Sequence, residues 1–456
     1  MDTEILDKLI TSWNPHFQNP SKGRWLETVP RENYLRQLEK IIDLRQIVVL
    51  TGVRRAGKST LIYQLMENLI KKGTPSINVF YLHLEDVMVG QFLKLGWRLL
   101  ETLYRYYLET YNPQGKVYLF LDEIQGVKEF NRWLYSQYEK KEKIKFFISG
   151  SSRSLIESEA ATTLTGRTVQ IDVYPLNFYE YLLFHHVKPR VKSSLDLTRR
   201  ANFALETTIL HHLKNYFFEG GYPEIVLAKN EEQKRAIANG YYRDIVTRDV
   251  LIPYKIRQAV EVESLGLQVL ADFTKTHTYS RLGKAQKLSV ETVKSYLDYF
   301  SKAYLFFESR FFSYKTKETQ DIQKPRKIYV VDNGMRNFNI ASLRPDIGQC
   351  AENVVYIELK RKRKAVYYWK GKKEVDFVVL DPRTKPKLEL YNVSYTNEPH
   401  QREVEGLVEG LKEFNLKEGT ILTKNYAGKK KVDNKTIEFV PLWPWLIEKG
   451  DFGAEH

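Results

Sequence analysis

The stretch Gly52-Val-Arg-Arg-Ala-Gly-Lys-Ser-Thr60 constrains this chain more than any other. The apolar run Ile47–Leu50 precedes it and a helical pattern, Leu61–Leu69, follows. Between a strand and a helix, G-x-x-x-x-G-K-[ST] folds backbone N–H groups and a helix N-terminus around one point, which makes a cradle for phosphate. Gly52, Arg55, Ala56, Gly57, Lys58, Ser59 and Thr60 form its wall. Lys58 is expected to reach the β- and γ-phosphates of a nucleoside triphosphate, ATP first among them, and the Ser59 hydroxyl to sit on Mg²⁺.

The surrounding pattern agrees. Short β-branched or aromatic runs, Ile47–Leu50, Ile77–Leu82, Val117–Leu121, Ile144–Ser149 and Val169–Val173, alternate with amphipathic stretches such as Phe92–Leu108. Such alternation predicts an α/β fold, a mostly parallel sheet with helices on both faces. The third run ends in Asp122-Glu123. At the carboxyl edge of the sheet Asp122 is placed to hold Mg²⁺ through its water shell, and Glu123 to polarise the attacking water. Ser149, ending the next run, is a candidate sensor of the γ-phosphate. Arg167, after Gly166, is a candidate arginine finger.

At 456 residues the chain is long enough for about three folding units. A single cysteine, Cys350, excludes an intramolecular disulfide framework and a cysteine-based zinc site. No apolar run approaches a membrane span and no basic-then-apolar leader opens the sequence, so the expected compartment is the cytoplasm and no membrane partner is expected. Lys and Arg outnumber Asp and Glu by 71 to 56, for a formal charge of +15, which favours an acidic partner, nucleic acid foremost.

Taken in order, further segments resemble one family. They are Leu121-Asp-Glu-Ile-Gln125, Ile148-Ser-Gly-Ser-Ser152, Leu164-Thr-Gly-Arg167, Pro175-Leu-Asn-Phe-Tyr-Glu180, Gly220-Gly-Tyr-Pro-Glu224, Lys327-Ile-Tyr-Val-Val-Asp-Asn-Gly334 and Pro441-Leu-Trp-Pro-Trp-Leu446. With the P-loop, these are similar to the archaeal and bacterial P-loop ATPases of the broad AAA+ group that carry a C-terminal domain of unknown function. The resemblance implies an ATPase domain over residues 1–180 with a five-stranded core. A helical and winged helix-turn-helix domain would follow over 181–315, then a domain over 316–456 resembling PD-(D/E)xK nucleases. It also implies that Arg167 acts on a neighbouring subunit, so a homo-oligomer, such as a ring, is expected.

Ser280–Lys287, the turn Leu288-Ser289 and Val290–Ala303 read as a helix-turn-helix, with Tyr304–Phe312 as its wing. Lys284, Lys287, Lys294 and Lys302 are candidate phosphate contacts on DNA, without sequence specificity. In the last domain Glu352 and Asp376 match two positions of a nuclease site, but Asn392-Val-Ser394 stands where Glu-x-Lys is needed, so cleavage is not expected. The run Lys360-Arg361-Lys362-Arg363-Lys364, with Tyr367, Tyr368 and Trp369 to stack on bases, is a further candidate nucleic-acid surface. The preferred reading is an Mg²⁺-dependent ATPase coupled to DNA. The rivals are a slow ATP-dependent switch that binds proteins and an ATP-dependent nuclease.

Overall fold

The computed structural model describes residues 2–23, 29–140, 143–153, 163–192, 194–319, 321, 324–340, 346–381 and 387–448. The chain divides into two compact units, 1–173 and 174–456. No helix among the described residues is long and apolar enough to cross a membrane.

In the first unit β1 (Ile47–Thr51), β2 (Val79–His83), β3 (Val117–Asp122), β4 (Ile144–Gly150) and β5 (Thr168–Asp172) form one sheet in the order β2-β3-β4-β1-β5. Every pairing is parallel. All five residues of β1 are buried, as a strand covered on both faces requires. The apolar faces of Thr3–Trp13, Trp97–Tyr111 and Phe130–Glu139 pack one core around Phe80, Leu119, Phe146 and Ile148. The period over 92–108 is interrupted at Gly96, whose φ of +57° separates a short turn from the helix beginning at Trp97. Because β1, β4 and β3 are neighbours in parallel, the loops after them meet at one edge. That edge is where α/β sheets bind ligands.

The second unit begins at Tyr174. The Pro175–Glu180 segment packs inside this unit: the Tyr216 hydroxyl donates to the Leu176 carbonyl (2.8 Å). The middle and C-terminal segments, expected as two domains, fall in this one unit. It contains a three-stranded antiparallel sheet of β6 (Thr276–His277), β7 (Phe306–Ser309) and β8 (Arg326–Val330), with β8 central. A six-stranded mixed sheet comprises β9 (Ala365–Lys370), β10 (Glu374–Leu380), β11 (Leu388–Ser394), β12 (Glu418–Thr423), β13 (Gly428–Val432) and β14 (Lys435–Pro441), in the order β13-β14-β12-β11-β10-β9. Helix Gln401–Glu413 supplies Val404, Leu407 and Leu411 to the core against it. Edge strand β13 carries exposed Lys429, Lys430 and Lys431, which discourage pairing with another chain.

Two of the sequence motifs prove to be the halves of one joint. The buried Asp332 carboxylate accepts N–H bonds from Gly221 (2.6 Å) and Met335 (3.2 Å). A Cβ on Gly220 would lie 2.0 Å from an Asp332 oxygen, and the φ of +73° there also excludes most residues. Burial pushes Asp332 up to about 6 from 3.8, against these backbone donors. A raised folded-state value means that the folded chain holds this proton more tightly. The contribution is therefore complete below pH 3.8 and lost as pH rises through about 6. The stability advantage of wild type over Asp332→Asn should shrink by about 3 kcal/mol between pH 4 and pH 7.5, read by urea unfolding. An advantage that grows with pH would contradict this.

Candidate functional site

At the carboxyl edge of β1 the chain turns through Gly52 (φ +148°), Arg55 (+65°) and Gly57 (+94°) before helix Lys58–Lys71. These angles curl the backbone into a nest whose N–H groups, with the helix N-terminus, face one point. Gly52 is dictated by space, since a Cβ there would stand 2.0 Å from the Val173 carbonyl oxygen. Gly52→Ala should therefore disrupt the loop, with a melting temperature at least several degrees lower and ATP binding lost. An unchanged melting curve with normal binding would refute the steric argument.

Lys58 is buried. Its ammonium donates to the Gly52 carbonyl (3.0 Å) and lies 3.7 Å from a Glu123 oxygen. Thus the P-loop lysine and the acid after β3 meet at one point. Ser59 and Thr60 occupy the first turn of the helix, both partly exposed. Arg54 forms a two-pronged ion pair with Glu85 (3.0 and 3.1 Å).

Asp122 is fully buried at the end of β3 and is held from two sides. One oxygen accepts from the Ser149 hydroxyl and the other from the Tyr81 hydroxyl (2.8 Å). Tyr81 in turn accepts from Tyr63, on the P-loop helix (3.1 Å). Burial, and then the Asp122 charge, push the Tyr81 hydroxyl far above its usual range, so it remains a donor. Glu123 adopts a left-handed conformation (φ +55°); its N–H donates to Ser149 Oγ (3.0 Å), and Gln125 donates to its carboxylate (2.7 Å). The left-handed turn aims the two adjacent carboxylates differently, Asp122 into the sheet edge and Glu123 toward Lys58.

Ser149 is thereby corrected. Expected as a phosphate sensor, it is fully buried, with its hydroxyl donated to Asp122 and accepting from Glu123 N–H, and so it positions the acidic pair. Tyr81 escaped sequence reasoning because only the β2–β3 register, with Tyr81 beside Phe120, brings it to Asp122. Arg167 precedes β5, which runs parallel to β1, and so stands at the opposite edge from the P-loop, about 17 Å away by strand rise. It pairs with Glu139 (3.1 Å) and lies over the Tyr135 ring (4.8 Å).

The donor set suits ATP and Mg²⁺. The nest and helix N-terminus offer N–H groups, Lys58 a cation, Ser59 a hydroxyl, and Asp122 and Glu123 carboxylates of separate orientation. Gly52 and Gly57, both at positive φ, give the backbone the turn that the cradle needs. Ser59, and Asp122 through water, would hold Mg²⁺, which would supply positive charge against the negative charge that develops in phosphoryl transfer.

In the second unit Glu352 and Asp376 do come together, around a residue the sequence did not suggest. Lys327, from β8, is buried with its ammonium 2.9 Å from Glu352, 2.5 Å from Glu374 and 3.4 Å from Asp376. Tyr329 also donates to Glu352 (2.8 Å). Lys327, Glu352, Glu374 and Asp376 line a cavity of about 390 Å³ with Glu403 and Arg402. Burial pushes Glu352 up to about 7 and Asp376 above its usual value, while Lys327 opposes both shifts. For Lys327 itself burial works against the charge, but Glu352 and its neighbours outweigh it and hold the ammonium well above its ordinary value. Asn392 is fully buried: it accepts from Asp376 N–H (3.0 Å) and donates to the Glu403 carbonyl (3.0 Å). Ser394 is also buried and accepts from His400 N–H (3.4 Å). Both tie strands and helix together.

The basic run is largely corrected. Helix Ile347–Arg361 continues through Lys360, so its periodicity turns Arg361 inward, where it pairs with Glu358 (3.1 Å) over the Tyr174 ring. Lys362 lies over Trp445 (4.6 Å) and Lys364 pairs with Asp381 (2.5 Å). Of the five, Arg363 is the exposed one, and Lys360 is half-buried. Tyr368 and Trp369 are buried in the unit and cannot stack on bases; Tyr367 is partly buried. Cations gathered at a helix C-terminus satisfy the helix dipole and local acids.

Helices Tyr279–Gln286 and Val290–Lys302 meet through a left-handed Lys287 (φ +56°), and Ser289 caps the second by accepting from Thr292 N–H (3.0 Å). Lys284, Lys287 and Lys294 are exposed. Lys302 is corrected: it is partly buried and pairs with Asp298 (2.8 Å).

Residues 44–182 match the family model described as an AAA domain; 210–345 and 347–445 match two domains of unknown function, DUF8612 and DUF4143. Uncharacterized protein MJ1544 of Methanocaldococcus jannaschii is 30% identical over 428 residues, 90% of each chain. An uncharacterized protein of Haemophilus influenzae is 28% identical, covering 92% of this chain and 99% of its own. Among solved structures, the Aeropyrum pernix ORC1 protein in complex with DNA aligns over 71% of this chain and 95% of its own, at 13% identity and a TM-score of 0.31. AMPPCP-bound DnaA from Aquifex aeolicus aligns over 59% and 86%, at 11% identity and a TM-score of 0.26. With its parallel five-stranded sheet, its P-loop and the acidic pair after β3, the chain belongs to the same family as MJ1544, a family of AAA+ P-loop ATPases with C-terminal domains of unknown function.

Proposed function

We propose that the chain hydrolyses ATP with Mg²⁺ and couples the cycle to DNA as a homo-oligomer. The observation that carries this reading is the meeting of Lys58, Glu123 and a doubly anchored Asp122 at the P-loop. Lys58 and the loop amides bind and orient the β- and γ-phosphates. Glu123, turned away from Asp122, takes up the proton of the attacking water, and the Tyr81–Asp122–Ser149 bonds fix the acid that would hold Mg²⁺ through water. Arg167 lies too far from its own P-loop to serve it, which supports a role on a neighbouring subunit, in a ring or another closed assembly.

For DNA, support rests on exposed Lys284, Lys287 and Lys294 at the helix-turn-helix, which with β6, β7 and β8 has the makings of a winged helix. One observation favours the rival protein-binding switch. Glu291 and Asp298 are exposed beside Lys294 on the second helix, so that face is of mixed charge. The steady-state ATPase rate with and without single- and double-stranded DNA, across a salt series, separates the two. Stimulation that falls steeply with salt is expected if DNA is the partner. A rate indifferent to DNA would leave the switch. Lys58→Ala should bring turnover to background in either case. We propose no nuclease step: Lys327 stands as the cation among Glu352, Glu374 and Asp376, and Asn392 and Ser394 serve structure. Metal-dependent cutting that disappears in Asp376→Ala would overturn this.

A further inference from the structure

We propose that Arg31 is a positioning residue for the phosphate cradle, acting through the peptide that joins Ala56 to Gly57. This rests on the reading of the P-loop as an ATP site. Arg31 lies outside every motif singled out in the sequence, and it is almost fully buried. Its guanidinium donates to the Ala56 carbonyl at 2.9 Å and lies over the Tyr34 ring at 4.6 Å.

The segment carrying it is fastened to the P-loop helix at both ends of one side chain. Gln64 accepts from Arg31 N–H (3.1 Å) and donates to the Val29 carbonyl (3.2 Å). Arg31 therefore reaches the loop from a backbone that is itself fixed to the helix the loop opens.

The consequence follows from peptide geometry. In a trans peptide the carbonyl and the following N–H point in opposite directions. Holding the Ala56 carbonyl on Arg31 thus turns the Gly57 N–H the other way, into the nest. Gly57, at φ +94°, has no side chain to fix that orientation, and the nearest atom to a Cβ built there is an Arg31 nitrogen, 3.8 Å away. Without the guanidinium this peptide is free to rotate, and the nest loses a preorganised donor for the phosphate nearest the helix N-terminus. ATP and ADP share that phosphate in the cradle, whereas AMP does not.

The test is the affinity of wild type, Arg31→Ala, Arg31→Lys and Lys58→Ala for ATP, ADP and AMP with Mg²⁺, by calorimetry, with folding checked by near-UV circular dichroism. Folded Arg31→Ala should bind ATP and ADP more weakly by the same factor, about tenfold to a hundredfold, the range of one charge-assisted hydrogen bond. AMP binding should not change. Arg31→Lys, which keeps a cationic donor for the carbonyl, should recover most of the loss. Wild-type ATP affinity in folded Arg31→Ala, or a loss equal for AMP, overturns the proposal. If Arg31→Ala does not fold, Gln64→Leu, which loosens the segment and leaves the guanidinium in place, must show the same paired loss for ATP and ADP. Normal affinity in it also overturns the proposal. Lys58→Ala keeps the two readings apart: if it binds ATP normally, the ATP site itself is misassigned. If it loses ATP while Arg31→Ala keeps it, only the role of Arg31 fails.

Discussion

Lys327→Met is expected to cost the chain about 3–5 kcal/mol of stability at pH 7, the range for removing one partner of a buried ion pair. Methionine matches lysine in length and fills the same space, so the loss is electrostatic rather than a cavity. Lys327 is 3% exposed and faces Glu352, Glu374 and Asp376. Without it these carboxylates lack their cation, and Glu352 and Asp376, already pushed up by burial, must take protons or repel one another. Two readouts identify the cause. The deficit should narrow in urea unfolding at pH 5, where protonation relieves the repulsion. Adding Glu352→Gln to Lys327→Met should restore part of the loss, giving a coupling well above the 0.5 kcal/mol or so of independent sites. A deficit under about 1 kcal/mol, or one unchanged by acid and by the second substitution, would show that the cluster is solvated and the lysine dispensable.

Glu123→Gln should lower the steady-state hydrolysis rate by about 10²- to 10⁴-fold, the usual contribution of a positioned general base. Its ATP affinity should stay within about threefold of wild type. The substitution keeps shape and hydrogen bonding to Gln125, but removes the group that accepts a proton. It also removes the charge 3.7 Å from Lys58, which frees the ammonium for phosphate and so does not weaken binding. Lys58→Ala should instead lose both. Equal loss of binding in the two variants would mean that Glu123 shapes the loop, and normal turnover in Glu123→Gln would remove it from the reaction.

The first unit was legible in the sequence because its signals are local. A P-loop needs particular residues at consecutive positions, and buried parallel strands such as Ile47–Thr51 are apolar throughout. Asp122 and Glu123 could be read for the same reason: they follow an apolar strand directly. What surrounds them could not be read. Tyr81 and Ser149 reach Asp122 from other strands, and only register decides which side chains stand side by side. Arg31 meets Ala56 across a loop, with no spacing that marks it.

The second unit shows the opposite balance. Five consecutive cations looked like one surface, yet Lys360 and Arg361 end a helix and the other three lead into β9, so their side chains point in different directions. The Asn392-Val-Ser394 triplet places no lysine on its strand. It could not tell that Lys327, 65 positions earlier, supplies an ammonium to the same carboxylates from β8. The sequence alone determined the P-loop, the acids after β3, the parallel sheet and the helix-turn-helix, because each depends on neighbours in the chain. The tertiary structure decided which polar groups are buried together, because the cost of burying a charge is settled by whatever lies within a few ångströms, however far off in sequence.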